Sequence, residues 1–85
     1  MKFFFHTDTD SRSNDVEGME FDAPDEAKAQ AIAMCGQMMR DAPRSFWGSR
    51  PWSVTVTDET GLILWNIDLD ATSSAAGSSL EGNRP

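Results

Sequence analysis

The chain is poor in the residues on which most catalytic and metal sites are built. It has 85 residues with one cysteine, one histidine and no tyrosine. A single cysteine excludes an internal disulfide and a zinc site built on paired cysteines. Cys35 falls within a helical apolar pattern, which is typical of a small buried side chain. We therefore expect no cofactor, and no enzyme built on a recognisable nucleophile or phosphate-binding motif.

Long apolar runs and positive charge are also scarce. The N-terminal apolar run, residues 3–5, is far shorter than the roughly 7–15 residues of a secretion signal core, so we expect a cytoplasmic chain outside the membrane. Seven Lys and Arg stand against fourteen Asp and Glu, a net charge of −7. This excess is spread along the chain and repels a phosphate backbone, so we expect no direct nucleic-acid binding.

Alternating apolar residues predict four strands around one helix. The strands cover residues 2–7, about 17–21, 52–57 and 62–69, and the polar stretch 8–15 reads as a mobile hairpin loop. The fold class is therefore α+β, with the element order ββαββ. We expect a four-stranded antiparallel sheet of order 2-1-3-4 with the helix packed on one face.

The helix is predicted to begin after an Asp22 N-cap, with Pro24 in its first turn, and to end before Pro43. Its apolar stripe consists of Ala27, Ala31, Met34, Cys35, Met38 and Ala42. Residues 43–51 follow as a turn-rich connection, in which Phe46 and Trp47 are expected to cap one end of the core.

The last two strands form a hairpin whose register depends on the turn at residues 58–61. A four-residue loop gives one wholly apolar face, with the pairs Val56–Ile63, Val54–Trp65 and Trp52–Ile67. A three-residue loop with a bulge would instead set Trp65 against Thr55. The first register is preferred on hydrophobic grounds.

The pattern divides the chain into one domain, residues 1–70, and a Ser/Ala/Gly-rich tail, residues 71–85. The tail is too poor in apolar residues to form a core and is predicted to be disordered.

One constellation suggests metal or ligand binding. His6, Asp8 and Asp10 alternate where the first strand runs into its loop, so a continued strand would project an imidazole and two carboxylates from one face. The competing interpretation is a histidine that hydrogen-bonds at the strand end beside solvated aspartates. A weak metal or small-ligand binder is therefore one hypothesis for this chain.

The apolar residues that are not assigned to the core favour an interaction surface. Phe4, Leu62 and Leu64 are expected on the sheet face away from the helix, with Ile32 and Met39 at the margin of the helix. The leading hypothesis is a non-enzymatic module that binds another protein or a second copy of itself. The alternative is an acidic, antitoxin-like regulator that neutralises a basic partner protein, and its binding would weaken steeply with salt.

Several short motifs resemble a family of small uncharacterised bacterial proteins, a domain of unknown function. They are Phe4-Phe5-His6, Asp15-x-Glu17-Gly18-x-Glu20-Phe21, an Ala-rich helix opened by Pro24-Asp25, and Val54-x-Val56-x-Asp58-Glu59-x-Gly61. The resemblance covers roughly residues 2–69. That family commonly has Asp-Gly after the histidine, whereas Asp8-Thr9-Asp10 stands here, which implies a longer or looser first loop. The resemblance implies the fold and carries no activity.

Overall fold

The computed structural model of the chain describes residues 1–48 and 51–82. Its elements, in chain order, are β1 (Lys2–Asp8), β2 (Arg12–Ser13), β3 (Met19–Glu20), α1 (Pro24–Asp41), α2 (Pro43–Gly48), β4 (Trp52–Thr57), β5 (Ile63–Leu69) and α3 (Ala75–Gly82). Positions 49 and 50 of the predicted connection, and 83–85 of the predicted tail, lie outside the described residues.

The strands form one antiparallel sheet of order β2-β1-β4-β5, and β3 also pairs with β1. The predicted α+β class is confirmed, and the predicted order 2-1-3-4 is compatible with this sheet. The difference lies beside β1, where the predicted loop 8–15 contains β2. Its two residues turn back on the end of β1, with Asp8 opposite Arg12 and Thr7 opposite Ser13. The second hairpin strand is therefore split into β2 and β3, with residues 14–18 between them.

Helix α1 begins one residue later than predicted, because Ala23 rather than Asp22 is its N-cap. The Glu26 N–H donates to the Ala23 carbonyl oxygen, and the Ala23 N–H donates to Glu26 Oε1, each over 3.2 Å. The helix ends at Asp41, before Pro43, as predicted. Ala27, Ala31 and Cys35 are its buried residues, which confirms the centre of the predicted stripe.

The buried core lies between α1 and the two central strands. Phe3 and Phe5 of β1, together with Val54 and Val56 of β4, are buried against the helix. Apart from the exposed Ile63, the apolar residues of β5 are only half-buried beside this core. Phe3 stacks on Trp65 with ring centroids 5.8 Å apart, which ties β5 to the core.

The register of β4 and β5 differs from both predicted registers. Val56 lies opposite Trp65 and Val54 opposite Ile67, and an irregularity beyond Val56 places Ile63 opposite Thr57. Leu64 is the extra residue of β5 at this irregularity. The alternation of side chains between the two faces of the strand therefore shifts by one residue there.

The turn between β4 and β5 causes this difference in register. The Asp58 N–H donates to the Leu62 carbonyl oxygen over 3.0 Å, while Asp58 Oδ1 accepts from the N–H groups of Thr60 and Leu62. The turn therefore extends to Leu62, one residue beyond the predicted loop. As a result Leu64 packs against the core and Ile63 is 64% exposed. The predicted outward position of Leu64 is wrong.

The connection after α1 is largely helical. Within α2, Phe46 makes an edge-to-face contact with the buried Trp52, with ring centroids 5.2 Å apart. Trp47 is 62% exposed. One of the two aromatic residues therefore contacts the core, as predicted, while the other faces solvent.

The C-terminal segment contains α3, where the sequence predicts no regular structure. Residues 71–81 are mostly exposed, and none of them belongs to the buried core. Ser74 accepts from the N–H groups of Gly77 and Ser78, through its hydroxyl and its carbonyl oxygen respectively, and so holds the first turn. No helix within the described ranges is long and apolar enough to cross a membrane.

Candidate functional site

The histidine singled out by the sequence lies in a hydrogen-bond network beside the sheet. His6 Nε2 is 3.0 Å from Thr57 Oγ1, and His6 Nδ1 accepts from the Asp15 N–H over 3.1 Å. Because Nδ1 is an acceptor, the proton of the neutral ring is on Nε2, which donates to Thr57. Both ring nitrogens therefore have protein partners, which matches the hydrogen-bonding interpretation of His6.

Asp15 is the centre of this network. Its Oδ2 accepts from the Phe5 N–H over 3.0 Å, and its Oδ1 accepts from the N–H groups of Glu17 and Gly18 over 3.1 Å. Burial alone would raise the pKa of Asp15, but the backbone hydrogen bonds from Gly18, Phe5 and Glu17 hold that pKa below its ordinary value. In the sequence, Asp15 stands out only as part of a family motif.

The structure does not gather His6, Asp8 and Asp10 into a metal site. Asp8 closes β1 opposite Arg12 and Ser53, while Asp10 lies exposed in the turn that follows. Within residues 1–48 and 51–82, no group of three or more His, Cys, Asp or Glu side chains is placed to hold a metal ion.

The predicted interface residues do not form one surface. Phe4 is half-buried on β1, and Leu62 is 62% exposed in the turn before β5. Leu64 is half-buried and packs against the core. On α1, Met39 is half-buried while Ile32 is 61% exposed. Ile32 faces further uncovered apolar side chains, which belong to β5.

Those side chains line a groove between α1 and β5. Lys28, Ala31 and Ile32 form its helix wall, and Trp65 and Ile67 form its strand wall, around a volume of about 270 Å³. Lys28 Nζ lies 5.3 Å from the Trp65 ring centroid, so the ammonium group covers the face of the indole. Apart from that ammonium group, the side chains that line the groove are apolar.

The groove adjoins an open strand edge. β5 is last in the strand order, and no described strand pairs with its outer side. Alternate residues of this seven-residue strand present backbone donors and acceptors along that side, directly beside half-buried apolar side chains. We refer to the groove and this edge together as the α1–β5 surface.

The opposite edge of the sheet is closed by the chain itself. β3 pairs with β1 at Lys2 and Phe3, β2 pairs with it at Thr7 and Asp8, and between them Asp15 accepts from the Phe5 N–H. β2 and β3 have two residues each and are joined by a polar loop, so this edge offers few free backbone groups to a further strand. The two edges of the sheet therefore differ in their capacity to bind another strand.

The sequence does not predict this surface as long as one helix is taken to cover the whole apolar face of the sheet. Strands lie about 4.8 Å apart and a helix is about 10 Å wide, so one helix covers two strands of a four-stranded sheet. The burial of β1 and β4, against the half-exposed Trp65 and Ile67 of β5, follows this geometry. The width of the sheet was the signal that could have located the groove.

Comparison with known proteins gives a match at the level of family. A family model described as "Domain of unknown function (DUF6894)" matches residues 2–70, which confirms the resemblance to a domain of unknown function. No curated protein and no solved structure matches the chain.

Proposed function

Because the chain belongs to the DUF6894 family, whose description names no activity, we propose a function from the geometry: a non-enzymatic module that binds an extended segment of protein on the α1–β5 surface. The partner adds a strand along β5 and places alternate side chains in the groove. The acidic charge of −7 favours a protein over a nucleic acid as the occupant.

The observation that carries this proposal is the coincidence of an open edge and an uncovered apolar groove. Backbone hydrogen bonds along β5 would supply affinity, and the pocket lined by Ile32, Trp65 and Ile67 would supply side-chain selectivity. Exposed apolar groups beside an unpaired strand are otherwise an aggregation hazard, so an occupant explains why both are present.

A photo-crosslinking experiment tests the proposal in the full chain. A photoreactive phenylalanine analogue replaces Ile32 in the groove or, as the control, Val16 in the loop at the closed edge of the sheet. Val16 is the more exposed of the two side chains, at 85% against 61%. After irradiation in cells that encode the chain, mass spectrometry identifies the crosslinked peptides. We expect discrete protein adducts from position 32 and few from position 16.

Two results would overturn the proposal. The first is the absence of protein adducts from position 32 at native expression. The second is the same adducts, in the same yield, from positions 32 and 16, because random encounter would then account for them.

A further inference from the structure

We propose that the segment bound on the α1–β5 surface is β5 of a second copy of this chain, so that two sheets join antiparallel about a two-fold axis at Asn66. This inference rests on the proposed function and names its partner. The axis is perpendicular to the sheet, so both copies of α1 lie on the same face and the two grooves meet between them.

The residue pattern of β5 is complementary to itself in this register. With Asn66 opposite its own copy, Trp65 lies opposite Ile67 of the second copy, and Ile67 lies opposite the second Trp65. Both side chains line the groove face. Pairs of an aromatic and a β-branched residue are among the favourable cross-strand pairs. Each half-buried groove residue therefore gains an apolar neighbour.

The same register keeps like charges apart. Asp68 of one copy aligns with the irregularity at Leu64 of the other, and the two Asp68 carboxylates are four residue steps from alignment. The two Asn66 amides, which face away from the groove beside Thr55, meet at the axis and are uncharged. The remaining repulsion is between two molecules of net charge −7, which salt screens.

The closed β1 edge explains why assembly stops at two copies. Since β2, β3 and Asp15 occupy the outer side of β1, β5 has only another β5 to pair with. Pairing of like edges is isologous and uses up both open edges, whereas pairing of unlike edges would continue into a filament.

Disulfide trapping tests the register. Directly opposite residues in an antiparallel pair have Cβ atoms about 4.5–5.5 Å apart, so Asn66→Cys should form a covalent dimer under mild oxidation. Asp68→Cys is the matched control: it is exposed on the same face, and four steps of about 3.4 Å separate it from its copy. The native Cys35 is buried and identical in both variants.

Analytical ultracentrifugation of the uncrosslinked chain tests the dimer itself. We expect a dimer at micromolar concentration that is retained or strengthened between about 50 and 500 mM salt. Ile32→Lys, on the exposed side of α1, should weaken dimerisation about tenfold or more, while Val16→Lys, exposed beside the closed edge, should not. Circular dichroism confirms that each variant is folded.

The outcomes separate this inference from the proposed function. A monomer throughout, with adducts from position 32 to a different protein, overturns the second copy as partner and leaves the module intact. A dimer in which cysteine 68 crosslinks as well as cysteine 66 overturns the register. A dimer that Ile32→Lys leaves unchanged overturns the surface as the site of pairing.

Discussion

At the scale of single residues, the Asp15 carboxylate completes an edge that short strands leave open. β2 and β3 cover the two ends of β1, and Asp15 accepts the Phe5 N–H between them. The same carboxylate accepts from Glu17 and Gly18, so it also shapes the loop that it belongs to. A charged acceptor of this kind contributes more than a neutral one.

The first prediction follows from this geometry. Asp15→Asn should lower the free energy of unfolding at pH 7 by about 1–2 kcal/mol, because the amide replaces a charged acceptor of three N–H groups. The measurement is urea denaturation. Asp10→Asn, exposed in the preceding turn, is the control and should change little.

The pH dependence has a definite sign. The folded-state pKa of Asp15 lies below its ordinary value of 3.8, so its stabilisation is fully present above the unfolded-state pKa and is lost as the pH falls through the folded-state pKa. The difference between Asp15→Asn and the native chain should therefore shrink below pH 3.8. A difference that stays constant into that range would show that ionisation of Asp15 does not stabilise the fold.

The second prediction concerns Gly18, which lies in the left-handed region with φ of 74°. A Cβ there would lie 3.0 Å from the Phe3 carbonyl oxygen and from side-chain atoms of Lys2 and Phe4. Gly18→Ala therefore combines backbone strain with crowding and should cost about 2–3 kcal/mol.

Gly61→Ala is the matched control for Gly18→Ala. Its φ is 88°, but a Cβ there meets open space, so only the conformational cost of about 1 kcal/mol remains. Both are measured by urea denaturation. Equal losses at the two positions would show that the close approach to β1 contributes nothing.

At the scale of elements, α1 and β4 show that apolar periodicity in the sequence predicts which face of an element is buried. The spacing of Ala27, Ala31 and Cys35 predicts the buried side of α1, and alternation in β4 predicts Val54 and Val56 as core residues. Both hold because side-chain direction follows backbone geometry alone. The register of β5 does not follow from periodicity, because hydrogen bonds of Asp58 extend the turn to Leu62.

The third prediction uses the N-terminus of α1. Its N-cap is Ala23, which has the extended backbone of an N-cap and no side-chain acceptor. Ala23→Ser supplies a hydroxyl for an N–H of the first turn and should stabilise the domain by about 1 kcal/mol. Thermal denaturation should show a rise of about 4–8 °C.

Ala33→Ser, exposed within the same helix, is the control for Ala23→Ser. It adds the same hydroxyl where no N–H is unpaired, and should lower stability slightly. A rise of similar size at both positions would argue against capping as the cause.

At the scale of the whole molecule, the sequence predicts which elements exist and which faces are apolar. It does not predict how much of the apolar face a single helix covers. Ile32, assigned to an interface, does lie on an uncovered surface, while Leu64 is drawn into the core by the irregularity in β5. The groove depends on the relative placement of α1 and β5, to which residues far apart in the chain contribute.

The last prediction concerns residues 71–85. Helix α3 is eight residues long, rich in Ser and Gly, and contributes nothing to the buried core. Helices shorter than about 12 residues are marginal in water unless packing supports them. Deleting residues 71–85 should therefore leave the melting temperature within about 2 °C, since few apolar contacts are lost. The backbone amides of α3 should exchange with solvent far faster than those of β4. A drop of several degrees on deletion, with protected amides in α3, would show instead that Leu80 packs against the domain.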